Sequence, residues 1–104
     1  MGFDMNSIMR QAQKMQEKMA KVQEELANER VEHSTGGGMV KCVVSGQGEV
    51  LSISIAPEAL TEGHEMLEDM VLMAVRDALD KAAALQKERL GAITGGMNIP
   101  GLGL

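Results

Sequence analysis

The residue types that most often perform catalysis are scarce in this chain, which has 104 residues but only two histidines and one cysteine. His33 and His64 lack the spacing of metal ligands, and Cys42 lies in a Val-rich stretch without a neighbouring histidine to activate it. The Cys42 thiol is better explained as a small buried core group. We interpret the acidic residues within 65–69 as solvated charges near a helix start. These patterns predict no enzyme activity, no metal site and no cofactor.

A run of basic residues at helical spacing is more informative. Its four members follow one another at intervals of 4, 4 and 3 residues: Arg10, Lys14, Lys18 and Lys21. On a helix they fall within roughly 80° of one another and form a stripe about 16 Å long, which we call the basic stripe. Such a stripe can follow the phosphates of a nucleic acid. The alternative is a solvated coiled-coil surface, because Glu17, Glu24 and Glu25 flank the stripe and can form i,i+4 ion pairs with it.

A second basic set follows later in the chain: Arg76, Lys81, Lys87 and Arg89. Acidic residues interrupt it, so it is the weaker candidate for phosphate contact. The overall charge opposes nucleic-acid binding, because the formal net charge is −5 and the sequence pI is about 4.9. Binding to DNA therefore requires the positive charge to be grouped on one surface and the negative charge to face away.

An apolar seam runs along the same predicted helix, on the side opposite the basic stripe. Its members alternate between spacings of 3 and 4 residues over three heptads: Met5, Ile8, Ala12, Met15, Met19, Val22 and Leu26. A strict 3.5-residue period favours packing against another helix. The chain also has ten methionines and a single aromatic residue, which is a poor basis for a compact monomeric core. We expect an elongated homodimer, and its predicted interface comprises Met15, Met19, Val22 and Leu26. The second helix or paired strand edges could supply the contact instead.

Glycine and proline divide the chain into an α+β arrangement. We predict a long N-terminal helix from Met5 to about Arg30 and a long C-terminal helix from about His64 to Leu90. Between them we predict strands at Met39–Ser45 and Glu49–Ile55, with a third candidate strand at Val31–Thr35. The turn at Gly36–Gly38 separates this third candidate from the other two strands. This gives a small antiparallel sheet of two to three strands between two long helices. The C-terminal helix has a wide apolar surface, so we expect it to cover the sheet and touch a partner. Residues 1–90 are predicted to form one domain, and 91–104 a flexible Gly-rich tail.

Two details of the strands bear on function. The alternation in the last strand predicts Leu51, Ile53 and Ile55 on one face, with Val50 on the other. The Gly36–Gly38 turn lacks the Lys-Ser/Thr pair of a phosphate-binding loop, so a hairpin turn explains it better.

Several segments together resemble one family: Met9–Met19, Gly36–Lys41, Gly46–Val50, Glu65–Val71, Asp77–Leu79 and Gly95–Gly101. In order and without a large insertion, they are similar to the YbaB/EbfC family of nucleoid-associated proteins. The resemblance implies a bacterial protein of the cytoplasm and nucleoid that binds double-stranded DNA as a homodimer with projecting helical arms. It also implies no enzymatic activity and no cofactor. Cys42 departs from the plain strand residue expected at its position.

Carried onto this chain, the resemblance supports the basic stripe as the DNA contact, with Arg76, Lys81, Lys87 and Arg89 as secondary candidates. Low sequence specificity is expected, because no helix presents side chains arranged for base edges. The alternative function is a protein-interaction adaptor that uses its Met-rich helical surfaces. No apolar run approaches the ~20 residues of a membrane span, and no signal peptide is evident, so we expect no membrane partner. We also expect no small-molecule substrate, because the resemblance implies no enzymatic activity.

Overall fold

A computed structural model describes residues 4–94 of the chain. Helix α1 covers Met5–Asn28. Asp4 caps it, because the Asp4 carboxylate accepts a hydrogen bond from the backbone N–H of Asn6. The helix ends before the predicted Arg30, since Glu29 is already extended and the chain enters a strand directly. The next helix, α2, covers His64–Thr94.

Between the helices lies a three-stranded antiparallel sheet in the order β1-β2-β3. The strands are β1 at Arg30–Thr35, β2 at Val40–Ser45 and β3 at Val50–Ile55. The third candidate strand of the sequence is thus confirmed as β1, and the helix–sheet–helix α+β fold is confirmed. A short 3₁₀ turn at Pro57–Thr61 connects β3 to α2.

The triple glycine makes the β1–β2 turn. Gly36, Gly37 and Gly38 have φ angles of +61°, +67° and +94°, which residues other than glycine rarely adopt. Beside this turn the Thr35 hydroxyl donates a hydrogen bond of 2.8 Å to the Met70 carbonyl oxygen. The turn therefore brings the end of β1 against the start of α2.

Helix α2 packs across β1 and β2 through a row of buried residues, three of which are alanine. Met70, Ala74, Ala78 and Ala82 recur every four residues and are buried against β2. Their β2 partners are Val40, Cys42 and Val44, which are fully buried. The prediction of a buried structural thiol is confirmed, and burial raises the pKa of Cys42.

Helix α2 extends four residues past its predicted end at Leu90. One glycine, Gly91, costs a helix only about 1 kcal/mol, which the flanking residues overcome. Of the predicted tail, residues 91–94 are thus helical, and 95–104 lie outside the described residues. The division into a domain at 1–90 and a tail remains a prediction.

The molecule is a rod. Its Cα radius of gyration is 19.8 Å, against about 13 Å for a compact domain of this length. Its principal extents are 73 × 25 × 16 Å. The long axis follows the helices, since α2 begins beside the Gly36–Gly38 turn and ends beside the middle of α1.

Candidate nucleic-acid interface

The N-terminal half of α1 forms an arm beyond the sheet. Close to the sheet α1 is fixed, because Leu26 is fully buried and the Gln47 side chain donates a 2.8 Å hydrogen bond to the Gln23 carbonyl oxygen. Farther out, the end of α2 is the one element of residues 4–94 that accompanies it, and Ile93 lies beside Met15 in a shallow groove. Through 8–21 every side chain except Met15 is exposed. The arm therefore offers most of its helical surface to a ligand.

The basic stripe lies on this arm and its charges are unpaired. Arg10, Lys14, Lys18 and Lys21 are all exposed. None of them takes part in the three ion pairs found among residues 4–94, and only the Arg10 side chain makes a hydrogen bond, to the Asn6 carbonyl oxygen. The i,i+4 pairing with Glu17, Glu24 and Glu25 that the alternative interpretation requires is not formed. The four cationic groups are therefore free to meet an anion.

Two members of the second basic set are engaged inside the fold. The Arg89 guanidinium donates to the Glu29 carboxylate at 2.7 Å, and this hydrogen bond raises the pKa of Arg89, with the Coulombic attraction of nearby carboxylates adding to it. The Lys81 ammonium donates to the Glu32 carbonyl oxygen at 3.3 Å. The first contact joins α2 to the residue that ends α1, and the second joins α2 to β1.

Arg76 and Lys87 are exposed and make no ion pair within the described part of the chain. Arg76 lies over the sheet, about 26 Å along α2 from Ile93, so it does not join the basic stripe. A role in DNA contact remains a prediction for every member of the second set.

The predicted dimer seam of α1 divides into two parts. Leu26 is fully buried within the single chain, so its burial requires no second copy. Met15 and Val22 are half-buried, and Met19 remains exposed. The role of these four residues in dimerisation stays a prediction.

Negative charge is concentrated at the opposite end of the rod from the arm. Between Cys42 and Val75 there is no Lys or Arg, and six carboxylates occur: Glu49, Glu58, Glu62, Glu65, Glu68 and Asp69. Five of them lie on the 3₁₀ turn, at the start of α2 or between the two, and we call this part of the molecule the acidic end. Since α2 rises about 46 Å from the acidic end to the arm, the basic stripe is several Debye lengths away at physiological salt.

Among residues 4–94 no group of three or more His, Cys, Asp or Glu side chains could hold a metal ion. Neither helix in this range combines the length and apolar character that crossing a bilayer requires. Strand β3 and helix α2 share an exposed apolar surface. The pairing of β2 with β3 has a bulge at Leu51, so that Val50 lies on the same face of the sheet as Ile53 and Ile55, and the alternation predicted from the sequence is wrong at Val50.

Comparison with known proteins identifies the family of the chain. The model of the YbaB/EbfC DNA-binding family matches residues 1–97. A nucleoid-associated protein of Desulforamulus reducens is 52% identical over 98% of both chains, and one of Pelotomaculum thermopropionicum is 50% identical over 98% of both. The fold resembles the crystal structure of an uncharacterized protein from Helicobacter pylori, with a TM-score of 0.76 at 21% identity over 84% of this chain and 92% of that one. The chain belongs to the YbaB/EbfC DNA-binding family.

Proposed function

We propose that the protein binds double-stranded DNA as a homodimer, with low sequence specificity, through phosphate contacts made by the basic stripe of α1. Relatives named nucleoid-associated proteins support a location on the nucleoid, in the bacterial cytoplasm. The proposal extends to a part in nucleoid organisation and gene expression. The proposal assigns the chain no catalytic reaction, no cofactor, no small-molecule substrate and no membrane association.

The observation that carries the proposal is the separation of charge along the rod. The stripe has four unpaired cations, whereas the acidic end has five carboxylates and lies about 46 Å away along α2. At that distance solvent and salt screen the repulsion between the acidic end and a phosphate held at the arm. An acidic protein can thus bind DNA, provided that only its arm touches the duplex.

The chemistry of the stripe supports low sequence specificity. Three of its four members are lysines, whose ammonium groups act as point charges and lack the planar fork with which arginine reads guanine. A homodimer presents eight such cations. If about half of them contact phosphate, log affinity falls with log salt at a slope of roughly −3 to −4. Binding by one dimer is then weak at physiological salt, and many dimers side by side are needed to cover DNA.

The test is a salt-titrated binding assay on specific and random duplexes, with two variants that each remove two positive charges. Lys14→Ala/Lys18→Ala removes two members of the stripe. Arg30→Ala/Lys41→Ala is the matched control, because both residues lie on the sheet. We expect the stripe variant to weaken binding and make the salt slope shallower by about 2, with the control unchanged. Equal effects of the two variants in folded dimers would overturn the assignment of the stripe.

The adaptor function is the second candidate, and the exposed methionines favour it. Met5, Met9, Met19, Met66 and Met73 are all more than two-fifths exposed, and such side chains adapt to varied partners. A pull-down from nuclease-treated lysate separates the two functions. A stoichiometric protein partner, together with no measurable duplex binding at low salt, would favour the adaptor over DNA binding.

A further inference from the structure

The apolar seam of α1 is covered near the sheet and bare on the arm. Near the sheet its last member, Leu26, is fully buried. From Met15 toward the N-terminus the seam continues through Ala12, Ile8 and Met5, which we call the outer seam. All three are exposed, Met5 by 67% and Ile8 by 43%. The outer seam is therefore an apolar helix face that no element within residues 4–94 covers.

A helix with a bare apolar face lacks the packing that usually keeps it folded. Isolated helices shorter than about 12–15 residues are marginal in water, and most helical stability in proteins comes from packing of the apolar face. Within residues 4–94 the arm is accompanied by the end of α2, where Ile93 lies beside Met15. Helix α1 is nevertheless continuous to Met5. We therefore expect a further packing partner between Met5 and Met15.

Helix α2 ends at the edge of the outer seam and runs antiparallel to α1. Arg89 contacts Glu29, whereas Ile93 lies beside Met15, so later residues of α2 meet earlier residues of α1. The last residue of α2 is Thr94. A chain that leaves α2 at this point and keeps its direction passes along α1 toward the N-terminus, where the outer seam lies.

Residues 95–104 follow Thr94 directly and lie outside the described residues. We call them the C-terminal segment; by sequence they include one Met, one Ile and two Leu but no charged residue. Met97 and Ile99 are two positions apart, so they share one side of an extended chain. Pro100 favours an extended backbone at the residue before it. The sequence thus predicts an uncharged, extended segment with an apolar side.

The C-terminal segment has the length and the charge that the outer seam requires. Met5 and Met15 are about 15 Å apart along α1, and ten extended residues reach about 33 Å. The residues that flank the outer seam include Met9, Gln11 and Gln16, which carry no charge. A second α1 laid on this seam would find no charges of opposite sign there, although such charges set the pairing of two helices. An uncharged segment needs none.

We propose that the C-terminal segment lies along the outer seam of its own α1, with Met97 and Ile99 packed on Ile8 and Ala12. This inference goes beyond the proposed function, because it concerns the face of the arm that does not carry the basic stripe. The stripe lies on the other side of α1, so the segment leaves the four cations open to phosphate. The Gly-rich tail that the sequence predicts to be flexible is then held on the arm.

Disulfide trapping in the full chain tests this contact. Ile99→Cys is combined with Ile8→Cys on the outer seam or, as the control, with Gln13→Cys, which lies about 140° away around α1. Gln13 is exposed and closer than Ile8 to the end of α2, so a segment without a fixed place reaches it at least as readily. In oxidised glutathione we expect the Ile8 pair to close at least ten times faster than the Gln13 pair. The native Cys42 is fully buried and does not compete.

Mass spectrometry of the denatured, non-reduced protein shows which chain supplies the segment. A disulfide within one chain keeps the mass near 11.1 kDa, whereas a disulfide between two chains doubles it. Equal rates for the two cysteine pairs would overturn the proposal. A fast Ile8 pair that joins two chains would also overturn it, because the segment would then lie on another copy.

Hydrogen exchange tests the proposal without a new cysteine. Ile99→Asp places a carboxylate on the apolar side of the segment, and Asn98→Asp adds the same charge at the neighbouring position. We expect Ile99→Asp to speed the exchange of the α1 amides within 9–15 at least threefold, because the segment leaves the seam. Asn98→Asp should leave these rates unchanged. If the two variants exchange alike, the segment does not cover the outer seam.

Failure of this contact and failure of DNA binding give different results. If the two cysteine pairs close equally fast while Lys14→Ala/Lys18→Ala weakens duplex binding, the place of the segment is wrong and the stripe stands. If the Ile8 pair closes faster within one chain while the stripe variant binds DNA normally, the segment stands and the stripe is wrong.

Discussion

The guanidinium of Arg89 lies 2.7 Å from the carboxylate of Glu29, a residue sixty positions earlier in the chain. Glu29 is the residue at which α1 ends, and Arg89 lies in the last two turns of α2. The pair therefore joins the two helices where the arm leaves the sheet. Gln86, which donates a 2.8 Å hydrogen bond to the Gly46 carbonyl oxygen, supports the same junction.

We expect Arg89→Ala to loosen the arm without removing a phosphate contact. The substitution should speed amide hydrogen exchange at the C-terminal end of α1, because Glu29 loses its partner, and the salt slope of DNA binding should stay unchanged. Hydrogen exchange by mass spectrometry and the duplex titration measure the two effects. Lys87→Ala is the comparison for hydrogen exchange, since Lys87 makes no ion pair among residues 4–94. If Arg89→Ala alone made the slope shallower, Arg89 would have to contact phosphate.

Replacing neighbouring glycines of the β1–β2 turn by alanine should lower the free energy of unfolding by different amounts. Alanine at Gly36 has an unfavourable φ, and its Cβ would meet the buried Met70 sulfur, whereas alanine at Gly37 has the unfavourable φ but open space. We expect Gly37→Ala to lower the free energy of unfolding by about 1–2 kcal/mol, and Gly36→Ala by about 1 kcal/mol more. Urea denaturation measures both, and equal losses would contradict the proposed contact.

The free energy of unfolding should fall at alkaline pH because of Cys42. Burial raises its pKa in the folded protein, so between the unfolded and folded pKa values the unfolded chain releases a proton that the folded chain retains. The protonated Cys42 thiol therefore contributes fully to the free energy of unfolding below the ordinary thiol pKa. This contribution is lost as the pH rises above that value. Urea melts from pH 7 to 10 should show this decline, and Cys42→Ala should flatten it relative to the unsubstituted protein. Identical curves would exclude the thiol as the cause.

The order of elements follows from the sequence because its signals are local. The heptad spacing of α1 predicts a long helix, and the triple glycine predicts the turn that its positive φ angles confirm. The position of the basic stripe was also predictable, since it depends only on helical spacing. Whether its lysines pair with Glu17 or Glu24 depends on side-chain conformations, and the sequence leaves that open.

The remaining features depend on residues far apart in the chain. The bulge at Leu51 is a property of the register between β2 and β3, so no pattern within β3 alone reveals it. The engagement of Arg89 with Glu29 requires knowledge of how α2 crosses the start of β1. The α1 seam was predictable as apolar, but the burial of Leu26 within its own chain depends on the hairpin that follows.

Helix α2 is one unbroken helix from the acidic end to the arm, so a small rotation at one end becomes a large displacement at the other. A rotation of about 10° about the acidic end would displace the far end of a helix of this length by about 8 Å. A contact made at the acidic end can therefore change where the arm lies without touching the DNA.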